Sequence, residues 1–564
     1  MSQSLYALIP AISPVLFAVA AIFSWFQSGL RPTALKKMLT GVAIAGVVVS
    51  LSSALLLLKS DSLEFALPIL EELGFSIRVD SLSILFLSMI ALLSLVVVRF
   101  SMNYLDGDNR QGVFLGRLAA TIASVQLFVL SGGLAMLVLS WVTTSLTLHR
   151  LLVFYADRPG AIVASRKKFV MARLSDLSLM SAAFILYSQF NSANLQTIFD
   201  GLAAYYTGSV SNSTLNAATF LLVMAAFFKS AQFPTHGWLV EIMETPTPVS
   251  ALLHAGLLNA GPFLIIRFAP LMEVGQAASL TLVILGGFTA IFGSAVYMTQ
   301  TSVKTALGYS SIAHMGFSLL LCGLGLYPAA LLHLVAHSFY KAHSFLSSGS
   351  VIDSLQLLKM GSIKKENSLG KTSLALVISA AAYFLIATLW GVDLTRDPAL
   401  VVVGGIIILG LTNMLISAME TVGRGTLILR SSLFSVLVAL AFFSFESLFH
   451  WIIVAQIPLS VDPTTADWLA IAGVLLAFGA VIIVQIIAPG LRSDQKYQSF
   501  YTHLRNGFYA NSYLDRLVGG INVKGNNSAR SGQYEFSKSP NLQKSAGLSP
   551  HFKVHRKIIS YDKH

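Results

Sequence analysis

Charge is scarce in this chain. Charged residues make up 11% of its 564 positions, against about 25% in a soluble domain. Cysteine is nearly absent. One thiol, Cys322, excludes a disulfide framework, a cysteine zinc site and iron–sulfur ligation by this chain alone. There is no nucleotide-binding glycine loop and no heptad run, so neither a redox cofactor site nor a coiled coil is expected. Residues Met1 to Leu30 lack a basic leader and read as a retained first span rather than a cleaved signal. Apolar residues, by contrast, reach 55%, so this is an integral membrane protein. The net charge of +12 does not call for nucleic acid. It concentrates in short loops and the C-terminal tail, where the positive-inside rule puts it.

Counting apolar runs predicts an all-α polytopic protein of about fifteen transmembrane helices. The first two lie near 5–27 and 38–58. Arg31, Lys36 and Lys37 between them predict a cytoplasmic turn and an external N-terminus. Residues 59–79 hold Asp61, Glu64, Glu71 and Glu72 and read as an external segment with a short strand or hairpin. A third span is expected near Asp80 to Val98. Two more are expected at 114–131 and 134–155, split by Ser131-Gly132-Gly133. The stretch 149–176 carries Arg150, Arg158, Arg166, Lys167, Lys168 and Arg173 and reads as a basic cytoplasmic loop before a span at 171–190. Residues 191–215 read as an uncharged external loop. Later spans fall near 278–298, 304–325, 328–349, 372–391, 399–419, 431–454 and 467–488, which leaves the C-terminus cytoplasmic. Residues 492–520 suit an interfacial helix, and 523–564, rich in Ser, Asn, Gly and Lys, a disordered tail.

One segment departs from this pattern. Residues Phe228 to Gly261 run FKSAQFPTHGWLVEIMETPTPVSALLHAGLLNAG. A lysine in hydrocarbon costs several kcal/mol unless it faces a cavity, water or a partner. Pro234 removes a backbone hydrogen bond at the same depth, and broken membrane helices persist only where the opened backbone is buried or lines a wet cavity. Lys229, the break, Glu241 and Glu244, and His254 therefore point to an ion path. The plainer alternative is a helix that ends at Pro234 with Lys229 reaching to the headgroups. Further on, His333, His337 and Lys341 recur at gaps of four, on one helical stripe, and His343 falls off it. Lys304 opens the preceding span, followed by Tyr309, Ser310, Ser311 and His314. Lysine and histidine are the side chains able to change charge near neutrality. HLVAH at 333–337 lacks the glutamate of a zinc-protease helix, so no metal site is expected. Arg173 and Asp176, three apart, share one helical face.

At these residues a resemblance becomes visible. KSAQFPTHGWLVEIMETPTPVSALLHA, KTALGYSSIAHMGF and LLHLVAHSFYKAHSFLSSGSVI resemble the motifs of the antiporter-like subunits of respiratory complex I and of multisubunit sodium/proton antiporters, over roughly Asp80 to Ile352. The resemblance implies two inverted five-helix repeats with broken helices, at 113–270 and 271–425. They are flanked by spans 1–3 in 1–112, by spans 14–15 in 426–490 and by a tail at 491–564. It also implies an ion pathway through Lys229, His254, His333, His337, Lys341 and Lys304. Those families carry a glutamate after the tryptophan of span five. Here Trp141 precedes Val142, Thr143 and Thr144, so Asp176, Glu241 and Glu244 become the candidate counter-ions of Lys229. The charged residue those families place in span twelve is also missing, since 372–391 holds none.

SLTLHRLLVFYADRPGAIVASRKKF is similar to span five of a divergent branch, the DabB membrane subunits of inorganic-carbon accumulation complexes. That likeness implies a bacterial inner-membrane subunit without a cofactor of its own, passing protons or sodium ions. It implies a large peripheral partner of the DabA type, zinc-containing and carbonic-anhydrase-like, which hydrates carbon dioxide to bicarbonate. His149, Arg150, Asp157 and Arg158 are then candidates for coupling to that partner. Two other readings stand beside it, a subunit of a respiratory or sodium/proton antiporter complex and an inert membrane anchor.

Overall fold

The computed structural model describes residues 5–58, 62–66, 71–155, 158–206, 212–242, 245–349, 369–392, 398–419, 424–458, 464–487 and 494–520. Among them are eleven helices long and apolar enough to cross a membrane, and three shorter apolar ones. In chain order, α1 (Ile12–Phe23) and α2 (Thr33–Leu57) precede a hairpin of β1 (Ser62–Phe65) and β2 (Ile77–Asp80). The strands pair antiparallel from Ser62↔Asp80 to Phe65↔Ile77. Next come α3 (Ser81–Tyr104), α4 (Gln111–Val129), α5 (Leu134–Leu152), α6 (Pro159–Phe190) and α7 (Leu195–Tyr206). The central segment is α8 (Ser213–Lys229), α9 (Gly237–Glu241), α10 (Thr247–Ala255), α11 (Ala260–Arg267) and α12 (Ala269–Val274). Then follow α13 (Gln276–Tyr297), α14 (Val303–Gly323), α15 (Tyr327–Leu346), α16 (Leu369–Leu389), α17 (Ala399–Met419), α18 (Arg424–Ile453) and α19 (Thr465–Ile487). The last two are α20 (Gln495–Arg505) and α21 (Ala510–Gly520).

Local chemistry sets several boundaries. Asp80 caps α3 by accepting from Ser83 N, and Asn212 caps α8 by accepting from Thr214 N and Leu215 N; each satisfies amides the first turn leaves open. Small residues allow close helix packing in a membrane, where area burial gives little drive. At Gly286 on α13 a Cβ would come within 2.7 Å of Gly316 O and Leu320 N on α14.

Two stretches differ from the sequence expectation. The basic run 149–176 is largely helix, because Pro159 fits the first turn of α6 and the helix then continues without interruption to Phe190. Lys167 and Lys168 are thereby carried inside the protein, 1% and 5% exposed. The stretch 191–215 contains α7, whose Leu195, Ile198 and Leu202 are fully buried and recur at helical spacing.

A buried charge cluster ties the hairpin to the central segment. Asp80, fully buried, accepts from Arg78 Nε at 2.8 Å, from Arg267 Nη2 at 3.2 Å and from Arg267 Nη1. Arg267 Nη2 also donates to Ser83 Oγ at 2.7 Å. This clamp fixes the end of α11, and so the far end of the broken span.

Candidate ion pathway

The break follows Lys229 directly. α8 ends there, Ala231 takes a left-handed φ of 51°, and helix resumes only at Gly237. The opened backbone is satisfied inside the protein. Gln232 Nε2 donates to Ser230 O at 2.9 Å, and Ser230 Oγ donates to Leu258 O at 3.2 Å. Leu258 belongs to a short 3-10 turn, Leu257–Asn259, that interrupts the next span between α10 and α11. Two broken helices therefore meet. A Cβ at Gly261 would overlap Ser230 Oγ and come within 2.7 Å of Ala226 O, so α11 requires glycine where it passes the break.

Lys229 turns inward. Its Nζ donates to Trp141 O at 3.1 Å and to Ser145 Oγ at 2.7 Å, and lies 4.1 Å from the Trp141 ring centroid. Trp141 is 1% exposed, and its Nε1 donates to Ser175 Oγ, which donates in turn to Ala225 O, one turn before Lys229. α5, α6 and α8 thus build the seat together. The ammonium meets a carbonyl, a hydroxyl and an aromatic face, all neutral, which stabilise a cation through dipoles and the ring quadrupole.

The candidate counter-ions separate. Asp176, 4% exposed, is the carboxylate whose charge reaches Lys229, and it lies 2.6 Å from Arg173 Nη2. Glu241 is engaged elsewhere, because both its oxygens accept from Lys167 Nζ, at 2.6 and 2.7 Å. Asp515 and Asn511 of α21 join that cluster. A Cβ at Gly237 would overlap Asn511 Oδ1, so α21 seats against α9. Glu244 lies outside the described residues.

The histidine row forms a second group. α10 packs on α15, and His254, fully buried, stacks on Phe345 at 4.3 Å between centroids. His337 lies 4.8 Å from His314 and 6.0 Å from His333 by ring centroids. His314 Nδ1 and His333 Nε2 are 3.2 Å apart. Lys341, also fully buried, donates to Leu307 O at 3.1 Å. Both ring nitrogens of His254 and of His337 have no hydrogen-bond partner among the described residues, although a buried imidazole normally finds one. Asn259, in the second break, bridges Ala255 O and Ser338 Oγ at 3.1 and 2.7 Å, beside His337. Among the described residues no direct hydrogen bond joins Lys229 to His254; the paired breaks lie between the two groups. Lys304 is half-buried at the start of α14, apart from this row. Among the described residues no group of three metal-ligating side chains converges on one point.

Of the candidate coupling residues, Arg150 and Arg158 are exposed. His149 is half-buried, 5.3 Å from the Phe169 ring. Asp157 lies outside the described residues. Three participants were not singled out from sequence. Lys168, whose Nζ donates to Ser145 O at 2.7 Å, was hidden in a basic run. Ser145 and Asn259 carried no signal, being ordinary polar residues in apolar helices.

A lysine seated at the meeting of two broken spans, with buried histidines beyond, defines the class of antiporter-like membrane subunits. Residues 131–396 match the NADH:quinone oxidoreductase/Mrp antiporter transmembrane family, and 71–115 match the N-terminus of complex I chain 5. A chain in the structure of the Mrp complex from Dietzia sp. DQ12-45-1b shares the fold, with a TM-score of 0.59 at 22% identity over 93% of this chain and 60% of that one. The "Probable inorganic carbon transporter subunit DabB2" of Halothiobacillus neapolitanus is 36% identical over 79% of this chain and 80% of its own length. The "Probable inorganic carbon transporter subunit DabB" of Hydrogenovibrio crunogenus is 41% identical over 49% of this chain and 53% of its own. The chain belongs to the DabB family of inorganic carbon transporter subunits.

Proposed function

We propose that this chain conducts protons or sodium ions across a bacterial inner membrane and thereby drives an inorganic carbon pump. The observation that carries this reading is the inward seat of Lys229 on Trp141 O, Ser145 Oγ and the Trp141 ring. In a proton mechanism, an amine held by neutral acceptors releases its proton without stranding a bonded carboxylate. Charge then moves past the paired breaks to His254, His337 and Lys341. The unpartnered imidazole nitrogens of the two histidines are free to accept and pass a proton.

Catalysis belongs, in this reading, to a peripheral zinc-containing partner of the DabA type that hydrates carbon dioxide to bicarbonate. Arg150 and Arg158, exposed at the basic end of α5 and α6, suit its docking. In this reading the basic loops favour a cytoplasmic position for that end, with the N-terminus outside and the C-terminus inside. The full-length chain is to be purified from its native membrane in mild detergent and assayed for bound zinc. The same chain is to be tested for rescue of a strain that needs high carbon dioxide. A large zinc-bearing partner together with growth in air supports the proposal. Rescue of sodium tolerance instead, with many membrane neighbours and no such partner, transfers the chain to the respiratory and antiporter complexes.

A further inference from the structure

Ser145 is shared by two amines. Lys229 from α8 donates to its hydroxyl and Lys168 from α6 donates to its carbonyl, each at 2.7 Å. Lys168 is 5% exposed, and that carbonyl is its hydrogen-bond acceptor. The charges that bear on it are Lys229, Asp176 and Arg173. His149, four residues beyond Ser145 on the same helical face, feels the charge of Lys168. Two amines, one guanidinium and one carboxylate therefore share one site, in which Lys168 and Asp176 are buried. Asp176 is already in contact with Arg173, which does not give up its proton. Two ammonium groups on one serine repel strongly in low dielectric, whereas one ammonium and one neutral amine do not. The arrangement favours a single mobile charge between the two lysines.

We propose that Lys168 is a second proton-carrying residue of the pathway, linking His149 at the basic end of the bundle to Lys229 across Ser145. This rests on the transport reading of Lys229 given above. In the transfer the ammonium of one lysine loses a proton and becomes an amine while the other gains it, so the charge of the pair is unchanged. His149 then takes the proton from Lys168, or delivers one to it, on the side chain's basic-end face. The Nδ1 of His149 is buried without a hydrogen-bond partner among the described residues, which leaves an acceptor or donor site available for that exchange.

The test is proton flux into inverted membrane vesicles carrying the full-length chain with its native partners, followed with a pH-sensitive dye. Lys168→Met should lower flux by roughly 100-fold or more, the usual worth of a positioned proton carrier. Lys168→Arg should show the same loss while assembling normally, because a guanidinium keeps the hydrogen bond and the charge but does not release a proton. Parent-like flux in Lys168→Arg would overturn the proposal and leave Lys168 a structural cation; so would parent-like flux in Lys168→Met. If the methionine variant fails to assemble, the arginine variant decides alone. Lys229→Ala in the same vesicles separates the two ideas: full flux there defeats the transport reading itself, whatever the Lys168 variants do.

Discussion

Replacing Asp80 with asparagine tests how the site is held in place. The carboxylate is fully buried and accepts from Arg78, Arg267 and the Ser83 amide, while Arg267 is itself 3% exposed. Asparagine keeps a side-chain oxygen for the Ser83 amide, so the helix cap, worth about 1 kcal/mol, is retained. The charge is lost, and two guanidiniums remain together with no carboxylate between them. Removing one partner of a buried ion pair costs about 3–5 kcal/mol, a large share of a stability of about 5–15 kcal/mol. Asp80→Ala loses the cap as well and should cost about 4–6 kcal/mol. At about 1 °C per kcal/mol for a chain of this length, the asparagine variant should melt roughly 3–5 °C below the parent when heated in detergent and followed by size-exclusion chromatography. Adding Arg267→Met removes one stranded cation and should recover part of the loss. An asparagine variant that melts with the parent would refute the reasoning, since the clamp would then contribute nothing net.

Two further outcomes follow from groups outside the spans. Asp515→Asn weakens the cluster in which Lys167, Glu241 and Asn511 hold α21, and should make the segment at 495–520 more accessible to protease while leaving the spans folded; equal protease resistance in parent and variant would contradict it. Burial raises the Glu64 carboxyl above its ordinary 4.5, against the hydrogen bond from Asn194 that pulls it down. A raised acid favours the folded state most below its unfolded value, and that contribution is lost as pH rises through the folded value. Melting temperature measured against pH should therefore fall more steeply above about pH 4.5 in the parent than in Glu64→Gln, and parallel curves would contradict the assignment.

The candidate pathway residues are legible in the sequence where chemistry and position conflict. Lys229 stands in an apolar run beside Pro234, and both features are costly in a membrane, so the break announced itself. His333, His337 and Lys341 share a stripe because helical spacing alone puts them there. Lys168 was hidden because it follows Arg166 and Lys167, and a basic run reads as positive-inside anchoring until the helix that buries it is known. The partner of Glu241 was equally out of reach, since Lys167 is 74 positions away and no local pattern selects it over Lys229. Asp80 and Arg267, 187 positions apart, pair only because the hairpin folds back onto the end of α11. Composition and motifs carried the membrane class and the likeness to a family; the sharing of Ser145 by two amines is a tertiary fact.

The most direct measurement is ion flux through the full-length chain with Lys229 changed to alanine, in vesicles where assembly with native partners has been verified. The account expects proton or sodium flux to fall by roughly a hundredfold or more, with the complex still assembled. Unchanged flux in that variant would contradict it and leave a membrane platform in place of a conductor.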